Sequence, residues 1–263
     1  MKQGVAGAFG TFVDTKVRGN KNMKLTFVEK RKEAGNVFTF IFKPKTRSDL
    51  VWFVWKPGLP ASAQPWQAGQ YLFYTIPNSN PDIRGVTRYF TISSAPFEKH
   101  IAITTKIFEK PSTFKKSLLK LKIGDEIEAN GPDGDFVIED PKRNLVFIAG
   151  GIGITPFRSI LLDLSNRNLK PSIRLLYANH DENIVFKEEL ESLKNKNSNL
   201  KINYFISPTY IDEATVKSQL LIVNRPLVFI SGPSPFVRTI RVLILDQGVE
   251  KENIKTDSFS GYS

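Results

Sequence analysis

LVFIAGGIGITPFRSILL, residues 145–162, reads as a strand, a glycine turn and the start of a helix. The apolar run Leu145 to Ile148 suits a buried parallel strand. Gly150, Gly151 and Gly153 let the backbone come close to a ligand. Thr155 is placed to cap a helix, and Pro156 suits a first helical position because it has no N–H to leave unpaired. Free amides at such a start point outward at the positive end of the helix dipole, where a phosphate would sit. The same residues also suit a tight β-α turn with no ligand, so the rest of the chain has to decide.

Working outward from this stretch, the two sides differ in period. Downstream, Ile173–Ala178, Ile202–Ser207 and Pro226–Ser231 are strand-like and alternate with helical stretches beginning near Pro156, Ile184, Asp212 and Pro235. That is the pattern of successive β-α units on a parallel sheet. Upstream, Leu25–Val28, Val37–Phe42, Tyr71–Ile76, Arg88–Ser93, Ile101–Phe108 and Glu126–Ala129 are short strands separated by Gly, Pro and Asn clusters. Their spacing predicts an antiparallel barrel or sandwich, interrupted by a helix from Ser112 to Lys122 with Leu118, Leu119 and Leu121 on its buried side. The expected fold class is therefore two-domain: an antiparallel β-barrel over residues 23–140, then a doubly wound α/β sheet over residues 141–263. Residues 1–22 are expected to be a flexible arm, a linker from a longer architecture, membrane-bound or not, with Met23 as an alternative start. The segment from Lys45 to Ala68, which holds Trp52, Trp55 and Trp66, reads as a long loop or inserted hairpin whose aromatics pack.

Composition narrows the chemistry. With 263 residues, 41% hydrophobic and 24% charged, the chain can bury two ordinary cores. It has no cysteine, which excludes disulfides, thiolate nucleophiles and cysteine-ligated zinc or iron–sulfur centres. No apolar run approaches the roughly 18 residues of a membrane span. A cytoplasmic location is expected, with membrane association through a partner. The net charge is +11 and leans N-terminal, with eight basic against two acidic residues among the first 32. Such charge steers acidic partners without specifying chemistry, and it also keeps a protein soluble.

Residues 87–96, TRYFTISSAP, place Arg88 and Phe90 on one face of a strand, with Thr91 beside them. A guanidinium can hold a pyrophosphate, a flat ring can stack on a flat heterocycle, and a hydroxyl can bond its polar edge. An ordinary edge strand is the alternative. Ala68-Gly69-Gln70-Tyr71 supplies a strand entry, and Gly131 to Phe136, GPDGDF, a tight turn back into the barrel.

Taken in order, GQY, RYFTISSAP, TTK, GPDGDF, AGGIGITPFRSIL, SGPSPFV and the terminal DSFSGY resemble the ferredoxin–NADP reductase superfamily, from Met23 to the end of the chain. The resemblance implies a flavin-binding barrel followed by a pyridine-nucleotide domain, and hydride transfer from NAD(P)H to FAD with electrons passed onward. Carried to this sequence, it implies that Arg88 binds the FAD pyrophosphate, Phe90 stacks on the isoalloxazine and Thr91 bonds its N5 edge, with Tyr89, Thr105 and Lys106 in the same site. Ser112 and Thr113 would make the second pyrophosphate contact, where the family usually has a glycine. Gly150, Gly151, Gly153, Ile154, Thr155 and Pro156 resemble the nicotinamide-nucleotide pyrophosphate loop. Ser231, Gly232 and Pro233 match a CGP motif near the nicotinamide. Asp257 and Phe259 resemble the terminal acid and the ring covering the flavin's other face, so Thr91, Ser231, Asp257 and Phe259 are the expected catalytic set.

Three departures qualify that reading. Phe90 stands where Tyr is common, at a cost of roughly 1 kcal/mol if one hydrogen bond to the cofactor is lost. Ser231 replaces Cys, and since neither is a nucleophile in hydride transfer, retuned chemistry is expected. His180, followed by Asp181, stands where an Arg often binds the adenosine 2′-phosphate; a neutral imidazole beside a carboxylate is a poor phosphate clamp, which favours NADH. The expected acceptor is a separate, acidic electron-transfer protein such as ferredoxin or flavodoxin. The alternatives are a flavin module active only inside a larger complex, and a nucleic-acid-binding OB-like barrel. The latter needs exposed aromatics interleaved with Lys and Arg, whereas these aromatics sit mostly in apolar strands.

Overall fold

In the computed structural model the described residues are 21–46 and 66–259. Trp52, Trp55 and nearly all of the expected arm lie outside them. The upstream apolar runs pair as six antiparallel strands: β1 (Lys21–Ala34), β2 (Val37–Pro44), β3 (Tyr71–Thr75), β4 (Thr87–Thr91), β5 (Ile101–Lys106) and β6 (Glu126–Asp133). Their order is β4-β3-β6-β1-β2-β5, a half-barrel with β4 and β5 at its edges. Just past β4, Ser93 ties these edges together. Its N–H donates to the Ala102 carbonyl at 2.9 Å, and its hydroxyl bonds the same carbonyl at 3.0 Å and Thr104 Oγ1 at 2.8 Å.

Alternate residues of the strands fill the barrel, among them Leu25, Phe40, Phe42, Leu72 and Tyr74, joined by Trp66. Helix α1 (Thr113–Lys120) plugs one end, N-capped by the Ser112 side chain, which accepts from the Lys115 amide. Phe114 and Leu118, four apart, form its buried stripe, while the expected Leu119 and Leu121 are only partly buried. The helix stops at Lys120, short of the expected Lys122, because Leu121 already has extended backbone.

The second domain alternates β7 (Leu145–Gly150), α2 (Ile154–Asn166), β8 (Ile173–Asn179), α3 (Lys187–Lys196), β9 (Leu200–Ile206), α4 (Glu213–Leu221), β10 (Leu227–Pro233), α5 (Ser234–Asp246) and β11 (Ile254–Phe259). The parallel sheet runs β11-β10-β7-β8-β9. Its pleat sends Leu145, Phe147 and Ala149 into a core with residues of α2 and α3, and Val146 and Ile148 into a second core with residues of α4 and α5. Strand β11 is an addition to the sequence expectation, in which DSF counted only as a motif.

The helix start at the glycine turn also differs from expectation. A 3₁₀ turn over Gly151–Gly153 feeds α2, which begins at Ile154, so Thr155 and Pro156 are its second and third residues. Thr155 makes no cap; its hydroxyl donates to the Ile152 carbonyl at 3.2 Å. Proline is tolerated there because the first four helical amides have no partner within the helix.

Helix α2 also joins the domains. Arg158, in its second turn, donates to the Ser93 carbonyl at 2.7 Å, to both carboxylate oxygens of Glu98 at 3.0 and 3.2 Å, and pairs with Glu189 at 2.6 Å. Ser159 donates to the Ser94 carbonyl. Among the described residues, no helix is long and apolar enough to cross a membrane.

Candidate functional site

Where the barrel edge meets the glycine turn there is a cavity of about 1020 Å³, at the upper end of the ~300–1,000 Å³ typical of small-molecule and cofactor sites. Its wall combines β4, the Asp82–Thr87 loop, the start of α1, the glycine turn through Ile152 and Thr155, and the end of β11 through Phe259. Arg88, Tyr89, Phe90, Thr91, Ser112 and Thr113 all line it. Thr104 lines it too, while Thr105, which the sequence reading put in the site, does not: successive residues of a strand point to opposite faces. Lys106 is also off the wall, its ammonium 5.6 Å from the centre of the Phe108 ring.

Strand alternation sets the roles on β4. Arg88 and Phe90 share a face, both against Phe114: the Phe90 ring stacks on it at 5.6 Å and the Arg88 guanidinium lies 5.9 Å from its centre. One face of Phe90 is therefore taken by α1. Tyr89 points the other way, packs on Tyr71 at 5.5 Å, and donates its hydroxyl to the Ser258 carbonyl at 3.3 Å. Tyr89 is thus the β4 aromatic that reaches β11. Sequence alone gave no sign of that, since the contact spans 169 residues.

Two further residues escaped the sequence reading. Asp82 accepts from the Arg88 guanidinium and, at 3.0 Å, from the Thr113 hydroxyl. Burial opposes its ionisation, but the bonds from Thr113, the Arg84 amide and Arg88 outweigh this and hold the carboxyl near about 2. Lys115 looks like a solvated residue on an amphipathic helix, yet it is buried on the cavity wall and donates to the Lys106 carbonyl at 2.8 Å. Burial lowers its ammonium to about 8, helped by the Arg84 charge.

On the nucleotide side the glycines have separate tasks. A Cβ at Gly153 would lie 2.2 Å from the Ser231 carbonyl oxygen, and one at Gly150 would lie 2.8 Å from the Phe236 ring. A Cβ at Gly232 would also meet the Phe236 ring, at 2.9 Å. These three serve close packing of the turn, β10 and α5. Gly151 has φ +54° and would meet nothing nearer than 3.9 Å, so its face is the open one. Ile154 is fully buried. His180 is exposed in the turn after β8, away from the cavity, where Asn179 donates to the Asp181 and Asn183 carbonyls at 2.9 and 3.1 Å. That turn lies at the C-terminal end of the strands, the side on which open α/β sheets bind ligands.

Thr91 and Asp257 close the junction. Thr91 Oγ1 donates to Asp257 Oδ2 at 3.2 Å, and Ser231 pairs with Asp257 in the β10–β11 register. Asp257 is half-buried as a residue, and its carboxyl faces Thr91. Burial pushes that carboxyl up to about 6, with Asp135 adding and the Thr91 and Ser231 hydroxyls opposing. Ser231 Oγ is itself buried and makes no hydrogen bond of full geometry, so it bears on Asp257 by proximity. A carboxyl of this kind can hold or release a proton near neutral pH.

Residues 147–241 match the family model for the oxidoreductase NAD-binding domain. Flavohemoprotein A of Dictyostelium discoideum is 26% identical over 255 residues, 89% of this chain and 59% of that protein. The toluate 1,2-dioxygenase electron transfer component of Pseudomonas putida is 26% identical over 73% of this chain and 58% of its own length. The flavohem-like FAD/NAD-binding domain of the nitric oxide dioxygenase of Vibrio cholerae O1 biovar El Tor superposes with a TM-score of 0.69 at 21% identity, over 90% of this chain and 98% of that one. The chain spans about half to three-fifths of the length of the first curated relatives it matches.

The raised Asp257 carboxyl has a consequence for stability. Protonation is favoured in the folded state, so stability is full below the ordinary carboxylate value of 3.8 and falls as pH rises towards about 6. Asp257→Asn is expected to flatten that fall, which is on the order of 2–3 kcal/mol, in urea unfolding compared at pH 4 and pH 7. An unchanged slope would show that the carboxyl is not held protonated.

Proposed function

We propose that this chain, a member of the ferredoxin–NADP reductase superfamily by fold and motif order, takes hydride from a reduced nicotinamide nucleotide onto FAD and passes electrons to a separate acceptor. The observation that carries this reading is the junction itself: a large cavity bearing Arg88 meets, at Thr91, Asp257 and Phe259, the glycine turn of an NAD-binding domain.

The cavity suits FAD. Arg88 Nε is buried with no hydrogen-bond partner, a donor suited to an anion, and Arg84, Lys110 and Lys115 stand around it. Apolar rings flank the same space. Once bound, the flavin would accept the hydride and release electrons singly or in pairs. The protein's own part is positioning. Arg88, Ser112 and Thr113 would hold the pyrophosphate, and Tyr89 and Phe90 the ring system. Thr91 would orient the reacting edge, with Asp257 holding a proton behind it. Gly151 and the first amides of α2 would take the nucleotide phosphates. Phe259, at the end of β11 and on the cavity wall, would have to move aside for the nicotinamide. Asp181 beside the exposed His180 favours NADH, since a carboxylate there repels a 2′-phosphate.

The acceptor is inferred from charge and from relatives. A net charge of +11 suits an acidic electron-transfer protein such as ferredoxin or flavodoxin, and one relative is named as an electron transfer component. A second reading, a flavin module that works only within a larger complex, draws on the chain's spanning only part of its relatives' length.

Arg88→Ala is expected to purify largely without flavin; full flavin content would refute the pyrophosphate assignment. Phe259→Ala should change nucleotide affinity or the NADH-to-NADPH ratio while leaving FAD content intact, and unchanged kinetics with both nucleotides would remove its gating role. Reduction of an acidic acceptor protein should slow as salt rises from about 0.05 to 0.5 M, whereas a salt-independent rate would discard electrostatic steering.

A further inference from the structure

Among the described residues lining the cavity, Asp82 is the one carboxylate, and Arg84, Arg88, Lys110 and Lys115 line the same cavity. It bonds two side chains that the functional reading assigns to a pyrophosphate, Arg88 through a terminal amino group, with Nε left open, and Thr113 through its hydroxyl. Arg88 directs one amino group to Asp82 Oδ1 and the other to the backbone carbonyls of Arg84, Gly85 and Thr87, at 2.7, 3.0 and 2.7 Å. The Thr113 hydroxyl has a single proton, and it goes to Asp82 Oδ2.

We propose that Asp82 is an internal competitor for the phosphate-binding groups of this cavity, a specificity-determining residue that weakens the hold on phosphorylated flavins and favours their exchange. The proposal rests on the reading of Arg88 and Thr113 as pyrophosphate ligands. Three observations give it a sign. First, the backbone carbonyls already hold the Arg88 guanidinium in place, so Asp82 is not needed to position it. Second, Asp82 is fixed in its loop, its amide donating to Thr113 Oγ1 at 2.9 Å and its carboxylate accepting from the Arg84 amide at 3.0 Å. A pyrophosphate on Arg88 Nε would therefore share one guanidinium with a carboxylate, where like charges repel, and on Thr113 it would have to displace that carboxylate from the single hydroxyl proton. Third, the neighbouring Ile83 side chain is fully exposed, so substitution of Asp82 disturbs no packed core at that position.

The test is flavin binding to the apoprotein, read by fluorescence quenching with FAD and with riboflavin, which lacks phosphate. Asp82→Asn keeps the shape and removes the charge. It should bind FAD about tenfold more tightly and release it more slowly, with riboflavin affinity unchanged within about twofold. Asp82→Ala serves as a second variant and should gain in the same direction. Unchanged or weaker FAD binding in both would overturn the proposal and make Asp82 a support for Arg88. If the wild type holds FAD no better than riboflavin, and Arg88→Ala costs nothing, the phosphate reading of the cavity fails and the competitor role goes with it.

Discussion

One buried cation fixes the relation between the two halves of this molecule. Arg158 leaves α2, reaches across the domain boundary, and meets Glu98 and the Ser93 carbonyl of the barrel while pairing with Glu189 of its own domain. The Phe186 ring lies 5.0 Å beneath its guanidinium. Removing one partner of such a buried pair typically costs about 3–5 kcal/mol, because the charge left behind is uncompensated. The position of the clamp matters more than its strength. Helix α2 begins at the glycine turn, and Ser93 and Ser94 follow Thr91 by two and three residues. The grip of Arg158 and Ser159 therefore sets how far the glycine turn stands from Thr91 on the barrel edge.

Close backbone approach completes the junction. Gly153 lets the turn lie directly on the Ser231 carbonyl, and Gly150 and Gly232 admit the Phe236 ring, so β7, β10 and α5 pack closely there. Tyr89 and Thr91 then tie the barrel edge to β11 through Ser258 and Asp257. The junction is thus bounded by contacts among four segments distant in sequence, with a basic cavity on one side and an open glycine face on the other. Electrostatics divide it likewise. Among the described residues, cations and one carboxylate line the cavity, while at the junction burial pushes the Asp257 carboxyl up to about 6.

Architecture was legible wherever it rested on period. The change from short antiparallel strands to β-α alternation separated the two sheets, and the apolar runs located ten of the eleven described strands. Strand β11 was missed because IKTDSF carries no sustained apolar alternation; it forms by pairing in parallel with β10. Positions on one strand were legible too: Arg88 and Phe90 share a face as spacing predicts. What depended on tertiary geometry was not. Nothing local marks Asp82 as the partner of Arg88, Lys115 as a buried residue, or Tyr89 as the link to β11. The expected helix cap at Thr155 gave way to a 3₁₀ turn whose geometry the close contact at Gly153 dictates. Thr105 went to the wrong side of the wall for want of a strand register.

The central claim is that two nucleotide sites meet at this junction and exchange hydride directly. Anaerobic rapid mixing of the FAD-loaded protein with NADH, and with NADH carrying deuterium in place of the transferred C4 hydrogen, tests it most directly through the flavin absorption band. The account predicts bleaching in a single turnover, slowed by the deuterium. Flavin that stays oxidised with both NADH and NADPH would contradict it.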